Sequence, residues 1–343
     1  MTAYMALFGL FAYRALQNRS RLGWGLFLPV VFFIGLRHEV GGDWFQYLEI
    51  YEFFAEKSFA DLLQDSEPGY ALVNAMSYQL GWGAHGTNLI CSLVFTWGLW
   101  RFCQAQPLPV LALVVAIPYL ITVVAMGYTR QGVAIGLGMA ALLSLERLQW
   151  LQFIGFVLLA ALFHKTAVVL FGVAILLTSG GWWWRVPLMG LVGFLAYNAI
   201  LADSVDRYIL NYELASYQSQ GAAIRVAMNA LPSLVFLILR GRMSLSKTQL
   251  RMWSLIAYAS LAMMLALFVV NSSTAVDRLA LYLIPIQLFV WSRVPVRNGV
   301  IRPIWVQGVV FYSLSVLLVW LMFAAHAYAW LPYRFYPLTW LLS

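Results

Sequence analysis

Six polar side chains stand out in an otherwise apolar chain: Asp43, Arg130, His164, Lys165, Arg225 and Arg278. A carboxylate or an imidazole can take a proton from a hydroxyl near neutral pH. Guanidinium and ammonium groups bind phosphorylated ligands through charge-assisted hydrogen bonds, and arginine can make them in pairs. Together the set suits a polyanionic lipid head group and an acid–base step. Plainer roles exist for each. Asp43 follows Gly41-Gly42 and can cap a helix, Lys165 can snorkel to a membrane surface, and Arg130 can close a structural ion pair. Glu67, in Ser66-Glu67-Pro68-Gly69-Tyr70, reads first as a helix start. Asp277 is spaced from Thr274 like the acid of a capping box and reads as structural. Its neighbour Arg278 then faces outward or into a cleft, and Arg225 is a weaker candidate of the same kind.

What positions these residues follows from composition. The chain has 343 residues, 63% of them hydrophobic and 10% charged, with a mean hydropathy of +0.80. Such a chain has lipid for a solvent. Apolar runs of helical length recur at roughly 1–17, 22–36, 86–103, 108–126, 131–147, 150–163, 165–178, 186–202, 224–240, 250–270, 277–292 and 303–325. They predict an all-α polytopic integral membrane protein of about twelve transmembrane helices, forming a single membrane domain over 1–343. No cleavable signal is expected at the start, and no inverted repeat is evident by eye. Cys91 and Cys103 fall in one predicted helix, about 18 Å apart along its axis, so they are not expected to pair.

Orientation comes from the cations. With Arg14, Arg19 and Arg21 in the cytoplasm and 37–85 wholly outside, alternation places 13 of the 21 lysines and arginines inside with one acid, Glu146. The formal charge of +8 is then mainly topology, and nucleic-acid binding is not needed to explain it. Reading 68–82 as a crossing, or 150–178 as one helix, would put the basic group at 240–251 outside. The six candidates share the outer side. The remaining irregular outer segments are 203–223, 271–278 and the stretch after 326.

The first outer loop carries eight of the thirteen acids, from Glu39 to Glu67. On a helix over about 43–56, Glu49, Glu52 and Glu56 share one side, while Asp43 lies opposite with Tyr47, Ile50 and Phe54. A carboxylate on an apolar face needs a partner, which Arg37 or His38 could supply. A second surface helix is expected over 67–81, opened by Pro68 and closed by Gly81. Arg130 begins a helix whose Gly132, Gly136 and Ala140 form a small stripe for close packing. His164-Lys165 joins two short apolar runs, and such a break lines a cavity.

Taken in order, GLRHEVGGDWFQY at 35–47, EPGY at 67–70, TRQGVAIGL at 129–137, LLAALFHKTAVV at 158–169 and DRLALY at 277–282 make a pattern that resembles the EpsG/Wzy-type family of bacterial polysaccharide polymerases. Lys165 departs from it, standing where a small polar residue is expected. The resemblance implies a GT-C-like membrane glycosyltransferase with two surface helices in its first outer loop. The enzyme would extend a glycan on undecaprenyl pyrophosphate at the periplasmic or outer face of the bacterial inner membrane. On this reading Arg130 and Arg278 bind the pyrophosphate. Asp43 is the leading base and His164 the reserve. Arg37 and Lys165 orient Asp43 or contact phosphate, and the aromatics Trp44, Tyr47, Tyr70 and Tyr128 stack on sugars.

The implied partners are undecaprenyl-pyrophosphate-linked oligosaccharide as donor and acceptor, and the lipid bilayer, with room for a chain-length regulator and other polysaccharide-assembly proteins. No cofactor is expected. Asp43 with the pyrophosphate could hold a divalent ion, but without an acidic cluster a metal-independent site is favoured, and by analogy an inverting displacement. A glycan ligase would differ only in its acceptor. A lipid-linked oligosaccharide transporter would need cavities on both faces, and a membrane acyltransferase would centre on His164.

Overall fold

The computed structural model describes residues 1–17, 22–178, 181–210, 221–270 and 273–342. Arg19 and Arg21, Asn271-Ser272 and positions 211–220 of the expected 203–223 loop lie outside the described residues. The first two apolar runs form α1 (Thr2–Leu16) and, after a 3-10 turn, α2 (Phe27–Gly35). The expected outer loop holds α3 (Trp44–Ala55), α4 (Phe59–Leu63) and α5 (Pro68–Gln79). Along α3 and its C-cap, Tyr47 and Phe54 are buried while Glu49, Glu52 and Glu56 are exposed on the other side, as the spacing predicts. The short α4 has no counterpart in the sequence reading; the Ser58 hydroxyl caps it by accepting the Asp61 N–H at 3.3 Å.

Helices α6 (Gly83–Gln104) and α7 (Pro109–Ala116) follow, and α7 runs into a π-helical stretch, Ile117–Ala125. Pro118 has no N–H to continue an α ladder, and Thr122 donates its hydroxyl to the Ile117 carbonyl at 2.8 Å. Next come α8 (Thr129–Glu146), α9 (Trp150–Phe163) and, after a 3-10 turn at Lys165–Val169, α10 (Leu170–Leu177). The break expected at His164 is therefore present. Then come α11 (Trp182–Leu210), α12 (Ala222–Leu239), α13 (Lys247–Val269), α14 (Ser273–Ala280) and α15 (Pro285–Trp291). A two-residue antiparallel hairpin, β1 (Val296–Arg297) and β2 (Val300–Ile301), leads to α16 (Pro303–Phe323) and α17 (Tyr336–Leu342).

Among the described residues the protein is all-α apart from this hairpin, with the apolar helices of a membrane protein. Length and composition alone single out three spans, Ala222–Arg242, Lys247–Val269 and Pro303–Phe323, or four if Ser273–Leu283 and Pro285–Trp291, bent by 44°, count as one. The twelve-crossing expectation does not follow from helix length. Trp24–Gly35, Pro109–Ala125, Trp150–Phe163 and Lys165–Leu177 are apolar but short, because prolines and polar breaks interrupt the runs.

Helix α8 is the centre of the packing, buried from Gln131 through Leu145 and flanked by α6 and α9. A Cβ built on Gly98 would stand 2.0 Å from the Gly136 carbonyl oxygen, and one on Gly136 would stand 2.8 Å from Phe95 Cα. The small residues thus let two helix backbones touch. At the far end of α8, Glu146 accepts the Trp253 indole N–H at 2.6 Å and a Gln249 amide N–H at 3.2 Å. This anchors one end and leaves Arg130 at the other.

Residues 326–336 run back across the turn that follows α2. His38 N–H donates to the Arg334 carbonyl at 3.0 Å, Gly41 N–H to Ala329 at 2.8 Å and Tyr336 N–H to Leu36 at 2.8 Å. The Trp330 indole donates to the Thr122 carbonyl at 2.6 Å and its ring packs against Gly42 and Gly127. Gly41 has φ +114, and a Cβ there would meet the Met126 carbonyl oxygen at 2.5 Å, so this turn requires glycine.

Candidate active site

Helix α5 begins where its sequence dictates. Asp65 accepts the Glu67 N–H at 2.8 Å, Pro68 fills the first helical position, and Gly69 leaves room for the end of α9, since a Cβ would lie 3.0 Å from Leu162. Glu67 occupies the N-cap position, yet its side chain does not cap the helix. Its carboxylate turns inward, 2% exposed. Oε2 accepts from Arg130 Nη1 at 2.7 Å and Oε1 from His164 Nδ1 at 2.6 Å. A helix start is therefore only part of what Glu67 does: it joins the start of α5, α8 and the α9–α10 break.

Burial raises the Glu67 pKa, but Arg130, the His164 hydrogen bond and the nearby Lys165 charge outweigh it and hold the carboxyl at about 2. A depressed carboxyl contributes stability that is present above its ordinary pKa and is lost as pH falls through the folded value. Thermal stability should therefore fall between about pH 4.5 and pH 2, and Glu67→Gln should flatten that limb. A melting-temperature series of both proteins across this range checks it.

His164 sits at the break in extended backbone (φ −156, ψ 108) and is 5% exposed. Its Nε2 is buried and has no hydrogen-bond partner among the described residues. Arg130 lies over the Tyr70 ring, 5.9 Å from its centroid, and Tyr70 meets Tyr47 edge-on at 5.9 Å. Burial raises the Tyr47 phenol to about 12, with Arg130 pulling it down and Asp43 pushing it up. Asp43 is at the N-cap position of α3 but makes no side-chain cap bond there. The expected cap is absent, and the carboxylate is electrostatically linked to the Tyr47 side.

A second group adjoins the first. Gln131, next to Arg130, donates to the Arg278 carbonyl at 2.8 Å, and Thr166 donates to the Tyr282 hydroxyl at 3.2 Å. Arg225 grips Asp277 with two bonds, Nε to Oδ1 at 2.8 Å and Nη2 to Oδ2 at 2.6 Å. Arg225 is thus tied into an ion pair that fixes α12 to α14, in keeping with a structural Asp277. Tyr128 is half-buried just before α8. Among the described residues, no three His, Cys, Asp or Glu side chains gather as metal ligands.

Arg37 has a different task from the one expected. It is 1% exposed and donates to the Ile34 and Val40 carbonyls at 2.6 and 3.1 Å, and to Asn88 and Thr129 at 3.2 and 2.9 Å. It clips the end of α2 to α6 and α8, and its guanidinium is enclosed rather than presented to a ligand. His38 likewise meets His85, Nδ1 to Nε2 at 3.1 Å.

The EpsG family model matches residues 22–335. The chain belongs to the EpsG family. The match covers all the elements that meet at Glu67, and membership suggests a polysaccharide-polymerase function of the glycosyltransferase type. No curated protein and no solved structure matches the chain.

Proposed function

We propose that this EpsG-family protein is a polysaccharide polymerase, for O-antigen or exopolysaccharide, that joins undecaprenyl-pyrophosphate-linked oligosaccharide units. It works at the periplasmic or outer face of the bacterial inner membrane. The observation that carries this reading is Arg130, which is partly open while paired to the buried Glu67. One carboxylate fixes the guanidinium in place, and a planar fork held in this way suits diphosphate oxygens. Lys165, beside the same carboxylate, and Arg278, whose backbone is tied to Gln131, supply further positive charge for the leaving diphosphate. Tyr70 beneath Arg130 and Tyr47 against Tyr70 are buried beside the pair. Tyr128 is half-buried two positions before Arg130, and these aromatics are the candidates to stack on sugars.

The reaction is an inverting displacement that needs no metal: the acceptor hydroxyl oxygen bonds to the anomeric carbon as the bond to the lipid diphosphate breaks. The outward placement rests on the cation count along the chain, and on the same alternation the short and broken helices complete about twelve crossings. Two surface helices in the first outer loop support a GT-C-like plan.

Purified protein given undecaprenyl-pyrophosphate oligosaccharide should yield a ladder of longer lipid-linked glycans, unchanged by EDTA. A single transfer to a different acceptor would instead indicate a ligase. Binding of the lipid with no new glycosidic bond would indicate a transporter.

A further inference from the structure

A hydroxyl attacking an anomeric carbon must lose a proton, and two groups compete for it: Asp43 and His164. The hydrogen bonds around His164 separate them. An ionised carboxylate only accepts hydrogen bonds. Because Glu67 Oε1 lies 2.6 Å from His164 Nδ1, the proton of a neutral imidazole must be on Nδ1. The lone pair is then on Nε2, which is buried and has no partner among the described residues. Leaving a buried polar atom unsatisfied is costly, and a ligand hydroxyl would complete the bond.

Glu67 is in turn held by Arg130 at 2.7 Å, so its geometry is fixed from the phosphate side. The chain of contacts runs from a cation suited to diphosphate, through one carboxylate, to the ring nitrogen opposite the carboxylate bond. Asp43 is placed differently. It heads α3, partly exposed, and its influence falls on Tyr47.

We propose, building on the glycosyl-transfer reading above, that His164 Nε2 is the general base for the acceptor hydroxyl and that Glu67 is the positioning residue that sets its tautomer. As the acceptor oxygen bonds to the anomeric carbon, its proton passes to Nε2. The bond from that carbon to the diphosphate oxygen breaks, and its electron pair leaves on the diphosphate. The imidazolium, stabilised by Glu67 at Nδ1–H, later gives the proton to water or to the released diphosphate. Sequence alone favours Asp43 because its acidic loop is conspicuous; the His164–Glu67 contact spans 97 positions and has no local signature.

The test compares wild type, His164→Ala, Glu67→Gln and Asp43→Asn in lipid nanodiscs, measuring donor-lipid affinity and single-turnover glycosyl transfer separately. His164→Ala should lose at least about 100-fold in the transfer step, with donor affinity within about 3-fold of wild type, and imidazole should restore part of the rate. Glu67→Gln should lose the transfer step without imidazole rescue, because the His164 ring is present but its tautomer is no longer fixed, and its donor affinity should fall as well because Arg130 loses its carboxylate. Asp43→Asn should keep the transfer rate within about 10-fold. Transfer that survives in His164→Ala while failing in folded, donor-binding Asp43→Asn would overturn the dyad and leave the polymerase reading standing. Absence of transfer by wild type with bound donor would instead sink the polymerase reading itself.

Discussion

Arg130→Ala should cost both activity and stability, and the two losses should separate on adding a second change. The substitution removes the cation facing Glu67 Oε2 at 2.7 Å while the carboxylate stays 2% exposed. Leaving one member of a buried pair uncompensated costs about 3–5 kcal/mol. The lower end applies here, because the Arg130 side chain is 32% exposed and His164 still donates to the other oxygen. Transfer should fall by at least about 100-fold as the donor to the developing diphosphate charge disappears. The double variant Glu67→Gln/Arg130→Ala removes the stranded charge, so its melting temperature should recover most of the way to wild type while transfer stays lost. Recovery of activity along with stability would mean that Arg130 is only a structural partner of Glu67 and that Glu67 does not position His164. Arg130→Lys is the finer control: lysine keeps the charge but not the planar fork, so stability should drop less than activity.

Gly98→Val should prevent the folded protein from accumulating. The Cβ of any residue at 98 would lie 2.0 Å from the Gly136 carbonyl oxygen, which belongs to the backbone of α8 and has no rotamer to escape into. Overpacking of a core ordinarily costs about 1–3 kcal/mol, and here the only relief is to push α6 away from the helix that carries Arg130. Gly155 on α9 is the matched control, since a Cβ placed there would have nothing within 4 Å; Gly155→Ala should be neutral or slightly stabilising. The comparison is read as monodisperse protein recovered from membranes and its melting temperature. A well-folded, active Gly98→Val protein would show that α6 and α8 do not need this close approach.

Most element boundaries can be read from composition, because an apolar run ended by arginine, glycine or proline is a local property. The break at His164 and the surface helices at Trp44–Ala55 and Pro68–Gln79 are visible for that reason, as is the use of Gly136 in close packing. The site is less legible. Arg130 and His164 stand out by their cost in an apolar setting, but Glu67 stands beside a proline in an acidic loop and looks like an ordinary helix start. What distinguishes it is the partners it meets 63 and 97 positions away. Arg37 misleads for the complementary reason: an arginine close to acids suggests a ligand, whereas its partners are the carbonyls of Ile34 and Val40 and two side chains from other helices. The π-helical stretch at Ile117–Ala125 has only Pro118 as a local cue.

The crossing of residues 326–336 over the turn that follows α2 has a temporal meaning. Gly41 and His38 take their backbone partners from Ala329 and Arg334, which a ribosome delivers nearly three hundred residues later. Until that delivery, the turn leading to Asp43 lacks the hydrogen bonds that fix it in the finished molecule. The helices can enter the bilayer one after another from the first apolar run onward, but this corner must wait for synthesis to pass Tyr336. A nascent chain is therefore inserted before this turn is fixed, and the timing of that last step is set by chain order alone.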